Sequence, residues 1–577
     1  MAISLVKNLL KADPSKTRYY VQGKQIQLGR LNFKAQGGEG AIYVKGSTAY
    51  KIYSDPQRAL SPEKLQELSV LTQANIIRPL TLIVDRHNQP AGYTMRYVGK
   101  THALCQLFPK AFRVRNNLTP EMTLGLVRKL QAGVTHIHSK QILLVDLNEL
   151  NFLVTEDFRE LYFIDVDSYQ TPSFPATVLM ESVRDRHSSR FSIGSDFFSF
   201  AVVSFQLFVG IHPYKGNYPP LQQITDKANK LDTRMRHNVS VLHKGVTVPA
   251  SCLPFSVIPP IYLDWYRSVF EEGKREAPPD GVRAVLQLST QASSHHIGST
   301  VFLLQDFREF DSEVISCQSG ITITERSVYF DGQRFDKPPF DVKVGVSPRT
   351  RHVIVAFTDH DKLRFHDLTD RKDIQTDIDG DVMSTEGRFY VKQNENVFEV
   401  DFIELPNNML LGLRPVANVM MNATRLFEGV AIQNLLGTSY ASIPMKNGAC
   451  HQVRLSELDD FHVIDARIER NILMIVATQK GKYDKFVYRF GRDFADYDLL
   501  RYHDISSIDL NFTVLDTGVV IHRVDDNKLE LFAATTNSSG IRTIQDPLLE
   551  TDIRLFHTGK QALIAQGRKL CKISLQQ

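Results

Sequence analysis

The chain has 577 residues, which is too long for one ordinary hydrophobic core and predicts about two to four domains. Its composition, 42% hydrophobic and 23% charged, is typical of a folded globular protein and excludes a disordered or fibrous one. The formal net charge is only +4, and no run of Lys or Arg marks a basic patch. We therefore expect no nucleic-acid partner.

Cysteine spacing and apolar runs bear on the location of the protein. The five cysteines lie far apart without a CxxC pair, which favours free thiols in the cytoplasm over disulfides or a zinc site. The N-terminal residues lack the pattern of a signal peptide. The longest apolar run, 197–211, is shorter than the roughly 18 to 20 residues that span a bilayer. We expect that run to form a buried helix and expect no membrane association.

The first motif in chain order is a glycine-rich turn between two strand-like segments. Gly37, Gly38 and Gly40 would let backbone N–H groups approach a phosphate closely. Lys51 follows eleven residues after Gly40, in the middle of the apolar strand TAYKIY. The alternatives are an ordinary glycine-rich hairpin and a surface lysine that extends from an edge strand.

The second motif is the sequence QILLVDLNELNFLV at 141–154, which follows an amphipathic helical pattern at 120–140. Asp146 and Asn151 interrupt apolar residues here, and polar groups are costly to bury without a reason. Asp165 then comes at the end of the next apolar strand. Oxygen ligands from such loop ends suit Mg²⁺. Taken singly, each could instead be a turn residue that caps a strand.

The residue pattern of the sequence changes at 289–300, a stretch rich in Ser, His and Gly that is typical of a linker. Beyond it, pairs of strand patterns joined by polar turns predict hairpins. Seven such units begin near residues 321, 352, 388, 425, 471, 518 and 561. A period near 40 with only strands inside predicts an all-β domain at 301–577, a seven-bladed β-propeller.

These landmarks, in this order, resemble the eukaryotic-type protein kinase superfamily over about residues 20–290, and the GGEG, DLN and IDVDS stretches are similar to bacterial kinase-like proteins. The resemblance implies a two-lobed α+β kinase-like domain at 1–290 that binds ATP and Mg²⁺. A helix that starts at Asp196 is a further landmark. By the resemblance, the residues facing the nucleotide are Gly37, Gly38, Gly40, Ile42, Lys51, Met95, Arg96 and Val98.

The same resemblance implies the remaining roles in catalysis. Asp146 matches the catalytic base, which accepts the proton of a substrate hydroxyl, and Asn151 and Asp165 match the metal ligands. Glu67, or else Glu63 one turn away on the same helix, would pair with the strand lysine, which holds the α- and β-phosphates.

The departures from the family pattern also carry expectations. Leu144 and Val145 replace the histidine and arginine of the catalytic loop, and Asn148 replaces its lysine. Without that arginine, activity should not depend on phosphorylation of an activation loop. No clear A-P-E motif is present, and Glu181 is the candidate for its glutamate, with Arg275 as partner.

The resemblance implies a serine/threonine protein kinase, with the second half binding protein substrates or regulators. Two alternatives stay open at this point. A pseudokinase scaffold would bind nucleotide without transfer, and a small-molecule phosphotransferase would act on something other than a protein.

Overall fold

The computed structural model describes residues 18–176, 180–280, 299–406, 408–445, 448–534 and 540–575. The predicted linker at 289–300 lies outside these ranges except for Ser299 and Thr300. The division into 1–290 and 301–577 therefore stays a prediction.

The first half begins with an antiparallel seven-stranded sheet in the order β2-β1-β6-β7-β5-β4-β3. The central strands β4 and β5 bury most of their side chains, as strands covered on both faces do. A short helix, α1 (Pro62–Leu68), follows β5, and the hydroxyl of Ser61 caps it by accepting from Lys64 N–H at 3.2 Å. The strands are β1 Tyr19–Val21, β2 Lys24–Ile26, β3 Phe33–Gln36, β4 Gly40–Lys45, β5 Thr48–Tyr53, β6 Thr81–Val84 and β7 Pro90–Arg96.

A helical part with a small three-stranded sheet, β10-β9-β8, follows. The predicted amphipathic helix is confirmed as α3, which buries Leu126, Leu130, Val134 and Ile137 on one face. The run at 197–211 is also confirmed as buried, mostly within α4. The elements are α2 Lys110–Arg115, α3 Pro120–Ser139, α4 Ile193–Val209, α5 Lys227–Arg236, α6 Pro260–Phe270, β8 Thr101–Ala103, β9 Phe152–Thr155 and β10 Leu161–Phe163. Among the described residues, no helix is long and apolar enough to cross a bilayer.

In the described part of 299–575, the strands form seven antiparallel four-stranded sheets. Sheet 1 contains β11 Phe302–Glu309, β36 Arg554–Thr558, β37 Gln561–Gln566 and β38 Lys569–Leu575. Sheet 2 contains β12 Val314–Gln318, β13 Ile321–Thr324, β14 Ser327–Phe330 and β15 Gln333–Asp336. Sheet 3 contains β16 Lys343–Val346, β17 Val353–Asp359, β18 Lys362–Asp367 and β19 Lys372–Ile374. Sheet 4 contains β20 Asp381–Thr385, β21 Arg388–Gln393, β22 Asn396–Leu405 and β23 Asn408–Asn418. Sheet 5 contains β24 Thr424–Leu426, β25 Ala431–Leu435, β26 Thr438–Pro444 and β27 Cys450–Arg454. Sheet 6 contains β28 His462–Glu469, β29 Ile472–Gln479, β30 Lys482–Phe490 and β31 Tyr497–Tyr502. Sheet 7 contains β32 Phe512–Val514, β33 Val519–Val524, β34 Lys528–Ala533 and β35 Arg542–Gln545.

Sheet 1 joins the two ends of the second half. Its strand β11 pairs with β38, so that Phe302 lies opposite Leu575 and Glu309 opposite Lys569. Each sheet also shares a buried apolar cluster with the next one, and sheet 7 shares one with sheet 1. Apolar burial therefore links the sheets in a continuous series that returns to its start.

The two halves pack against each other over a buried surface. Ile464, Tyr483 and Ile505 of the second half belong to the main apolar cluster of the first half. Lys215 Nζ lies 2.7 Å from Asp504 Oδ1, and this ion pair is largely buried at the rim of the cluster. The contact therefore combines an apolar core with charged groups, as stable interfaces do.

This interface predicts that the halves stay together when the chain between them is cut. A specific protease site inserted between Ser293 and Ser294 would separate the halves covalently. After cleavage, we expect both fragments to co-elute in gel filtration, because separation would expose the shared apolar cluster. The control carries Ile505→Asp, which places a charge in that cluster and should release the fragments. Separate elution without the substitution would contradict the interface.

Candidate functional site

Lys51 occupies an interior strand and is buried. Strand β5 lies between β4 and β7, where Lys51 pairs with Ile42 on one side and Tyr93 on the other. The residue is only 5% exposed, so it is not a surface lysine. Its ammonium donates to Asp165 at 2.7 Å and to Asp167 at 2.8 Å.

A third carboxylate, that of Glu39, lies 3.2 Å from the Lys51 ammonium. Glu39 belongs to the glycine-rich turn, so the turn itself folds back onto the lysine. A buried ammonium is stable only with such partners. One cation therefore holds the turn, the strand and the loop after β10 together.

Asp167 is the most fully bonded of these carboxylates. Its two oxygens accept from Tyr53 OH at 2.5 Å and Tyr93 OH at 2.6 Å, and Lys64 Nζ donates to its backbone carbonyl at 2.7 Å. Burial alone would raise the pKa of Asp167, but Lys51 and the hydroxyl donors lower it below its ordinary value. Sequence reasoning missed this residue. The available signal was the spacing of Lys51 and Tyr53, which lie two residues apart and therefore on the same face of β5.

Asp165 faces outward from the same cluster. Its side chain is 33% exposed, and its backbone is in the left-handed region at φ 59°. Burial and the neighbouring Asp167 charge raise the pKa of the Asp165 carboxyl, although Lys51 opposes that rise. Oxygens of Glu39, Asp165 and Asp167 all lie within 4.8 Å of one another. This arrangement of oxygens is compatible with a hard cation.

Asp146 and Asn151 lie on one hydrogen-bonded loop between α3 and β9. Asn151 Nδ2 donates to the backbone carbonyl of Asp146 at 2.9 Å, so the amide oxygen Oδ1 is the atom of that side chain with ligand capacity. Ile164 N–H donates to the carbonyl of Asn151 at 3.0 Å. This bond places the loop next to Asp165. Met180 N–H donates to Asp146 Oδ1 at 2.8 Å, and burial raises the pKa of Asp146.

The buried carboxylate of Asp196 holds the start of this loop. Its oxygens accept from the N–H groups of Leu144 and Val145, each at 2.9 Å, and His138 Nε2 lies 2.9 Å from Oδ2. Val145 has φ 62°, a conformation that costs a β-branched residue on the order of 1–3 kcal/mol. Two hydrogen bonds to a charged acceptor offset that strain.

The glycines of the turn have different structural demands. Gly37 N–H donates to the carbonyl of Gly40 at 2.8 Å, which closes the turn. A side chain at Gly40 would place its Cβ 2.2 Å from the carbonyl oxygen of Ile52, so only glycine fits. A Cβ at Gly38 would meet open space. Gly40 is thus required by the strand contact, whereas Gly38 lies at an open tip.

Three of the residues expected to face the nucleotide lie at and just beyond the end of β7. Met95 packs against the main apolar cluster, and Arg96 is the last residue of β7. The guanidinium of Arg96 lies 5.3 Å from the Tyr162 ring centroid. Val98 is half-buried two residues further on.

The structure does not bring Glu67 to Lys51. The carboxylate of Glu67 accepts from Ser173 N–H at 3.3 Å, and Glu39 holds the position beside the lysine. Glu63 lies on the exposed side of α1. The chemistry of a lysine–glutamate pair is therefore present, but the glutamate comes from the turn.

The expected Glu181–Arg275 pair is replaced by another. Arg275 makes a bidentate pair with the buried Asp185, with both N–O distances at 2.7 Å. Glu181 instead pairs with Arg186 at 2.6 Å. Both acidic residues lie in the same short segment, so the sequence alone did not distinguish them.

Comparison with known proteins supports a kinase-like relationship for part of the chain. Over 184 residues the chain is 24% identical to the serine/threonine-protein kinase atg1 of Dictyostelium discoideum. The match covers 30% of this chain and 27% of that protein, so the chain spans about a quarter of its relative's length. No family model matches the chain.

The bonding of Asp167 predicts a structural role that Asp165 lacks. Asp167→Asn should lower the free energy of unfolding by about 1–3 kcal/mol, because the amide cannot accept from two hydroxyls and a cation at once. Asp165→Asn is the matched control and should cost less, since that side chain is partly exposed. Urea unfolding of the full chain measures both values. Equal stability of the Asp167 variant and the wild type would contradict the role.

Proposed function

We propose that this protein is an ATP-dependent serine/threonine protein kinase that uses Mg²⁺. The observation that carries the proposal is the 2.7 Å contact between Lys51 and Asp165, beside the hydrogen-bonded loop of Asp146 and Asn151. It joins a cation suited to phosphates with carboxylate and amide oxygens suited to a metal. The partial similarity to a serine/threonine kinase supports the same class.

The donor set fits a magnesium ion and a triphosphate. Asp165 and Asn151 would hold Mg²⁺ through oxygen atoms, the ligands this ion prefers. Bound Mg²⁺ supplies charge neutralisation at the phosphates during transfer. The residues proposed to face the nucleotide are Gly37, Gly38, Gly40, Ile42, Lys51, Met95, Arg96 and Val98.

The chain's own residues divide the remaining work. Lys51 would hold the α- and β-phosphates, and Asp146 would orient the Ser or Thr hydroxyl and accept its proton. The raised pKa of Asp146 brings it closer to the working pH of a general base. A role for Glu67 beside Lys51 would require helix α1 to shift, because its carboxylate now binds Ser173.

We further propose that the second half is a seven-bladed β-propeller that binds protein substrates or regulators in the cytoplasm. Seven four-stranded sheets support the blade count, and the pairing of β11 with β38 supports closure of the ring. Closure removes exposed sheet edges. The role in partner binding rests on fold analogy.

A nucleotide-binding scaffold without transfer is the second candidate. The observation that favours it is the hydrogen bond from Met180 N–H, which already occupies Oδ1 of Asp146. Incubation of the full chain with labelled ATP, alone and with cell lysate, distinguishes the candidates. A labelled protein supports the kinase, a labelled small molecule supports a different phosphotransferase, and no label supports the scaffold.

The nucleotide site predicts a thermal shift. ATP with Mg²⁺ should raise the melting temperature of the full chain, since a ligand at 100 times its Kd stabilises by about 2.7 kcal/mol. Lys51→Ala should reduce that shift. Lys45→Ala, an exposed lysine at the end of β4, is the control and should leave the shift unchanged. If millimolar ATP does not move the wild-type curve, the nucleotide site is wrong.

The division of roles predicts different defects at two aspartates. Asp146→Asn removes a proton acceptor, so phosphoryl transfer should fall by roughly 10² or more while nucleotide affinity is kept. Asp165→Asn removes a charge from the metal site and should weaken Mg²⁺-dependent binding. Asp157→Asn, in the β9–β10 turn, is the control for both. Wild-type turnover by the Asp146 variant would exclude Asp146 as the base.

A further inference from the structure

A hairpin of the second half reaches the loop that contains Asp146. Strands β29 and β30 of sheet 6 form this hairpin, and Tyr483 is the second residue of β30. Its hydroxyl donates to Glu149 Oε1 at 2.5 Å. Glu149 lies between Asp146 and Asn151 in sequence and is only 1% exposed. A residue from sheet 6 thus supplies a side-chain hydrogen bond to a buried carboxyl in the loop.

Tyr483 is itself held in place from several sides. Ile505 N–H donates to the backbone carbonyl of Tyr483 at 2.7 Å. Lys215 Nζ lies 5.5 Å from the centre of the tyrosine ring and also donates to the carbonyl of Ile505 at 2.9 Å. The ring is 4% exposed and belongs to the shared apolar cluster. These packed contacts therefore fix the position of the tyrosine hydroxyl beside Glu149.

The turn of the same hairpin contacts the segment that hydrogen-bonds the Asp146 carboxylate. Gly481 has φ 72°, and a Cβ on it would lie 2.2 Å from Ser182 Oγ and 2.7 Å from Met180 Sδ. Glycine thus allows the turn to approach this segment closely. Met180 is the residue whose N–H donates to Asp146 Oδ1. The hairpin consequently contacts both the loop that carries Asp146 and the segment that binds its carboxylate.

We propose that Tyr483 is a positioning residue for the loop at 146–151, so that sheet 6 sets the geometry of Asp146. This inference rests on the proposed kinase function. It gives the second half an indirect part in phosphoryl transfer, through the loop, in addition to any binding of partners.

The buried carboxyl is what distinguishes this contact from ordinary packing between halves. An apolar residue at 149 would fill the same interior without the cost of burying a polar group. A buried carboxyl needs hydrogen-bond donors, and burial raises the pKa of Glu149 above its ordinary value. Loss of the Tyr483 hydroxyl would leave this buried carboxyl without one of its donors, which favours a shift of the loop.

The test compares two tyrosines of one strand in the full chain. Tyr483→Phe removes the hydroxyl that binds Glu149. Tyr488→Phe, also on β30 and buried, removes a hydroxyl without a hydrogen bond among the described residues. Amide hydrogen exchange of the peptide 142–154, measured without nucleotide, and steady-state phosphoryl transfer are the two readouts.

We expect Tyr483→Phe to speed exchange in that peptide and to lower kcat roughly 10-fold, with KM for ATP unchanged. Tyr488→Phe should change neither. The double variant Glu149→Leu with Tyr483→Phe should slow the exchange again, because replacing both partners by apolar groups leaves no unpaired carboxyl.

The remaining outcomes would contradict either the positioning role of Tyr483 or the proposed kinase function. Equal exchange in the two tyrosine variants would overturn the positioning role, as would faster exchange with unchanged kcat. A general rise of exchange across the whole chain would show a structural role only and would also overturn it. Absence of transfer by the wild type would reject the proposed function, whereas the exchange measurement would still decide whether Tyr483 holds the loop.

Discussion

The burial of one ammonium group organises the candidate site. Lys51 lies in a strand of the first sheet, but Asp165 and Asp167 follow it by more than 110 residues and belong to the helical part, just after β10. A buried charge is stable only when its partners are fixed, so the two parts cannot separate without exposing it. Tyr53 and Tyr93 complete the network at Asp167. The position of the loop after β10 therefore depends on this one cation.

The loop at 144–151 depends on a second buried charge. Asp196 holds the N–H groups of Leu144 and Val145, and this fixes Val145 in a conformation that β-branched residues avoid. The strain turns the chain sharply just before Asp146. The shape of this loop therefore does not depend on a histidine and an arginine at 144 and 145, because the N–H groups that bind Asp196 belong to the backbone.

Local sequence pattern predicted the polar candidate residues that interrupt or end apolar segments. Lys51, Asp146, Asn151 and Asp165 each interrupt or end an apolar segment, and the structure brings them into one region. Their partners could not be found in this way. Glu39 rather than Glu67 reaches the lysine because the outcome depends on how helix α1 lies against the sheet, which spacing within the helix does not encode.

Local sequence pattern also fails to predict how distant strands pair in the second half. Hairpin patterns predicted seven repeating units, but sheet 1 takes β11 from one end of this half and three strands from the other, which no local pattern specifies. Such long-range pairing requires the entropic cost of closing the intervening chain, which local propensities do not encode. Sheet 6 of the same packed series contacts Glu149, so the loop around Asp146 has its full set of contacts only when that sheet is folded against it. The hydrogen bonding of the loop is thus completed by a residue from the second half of the chain.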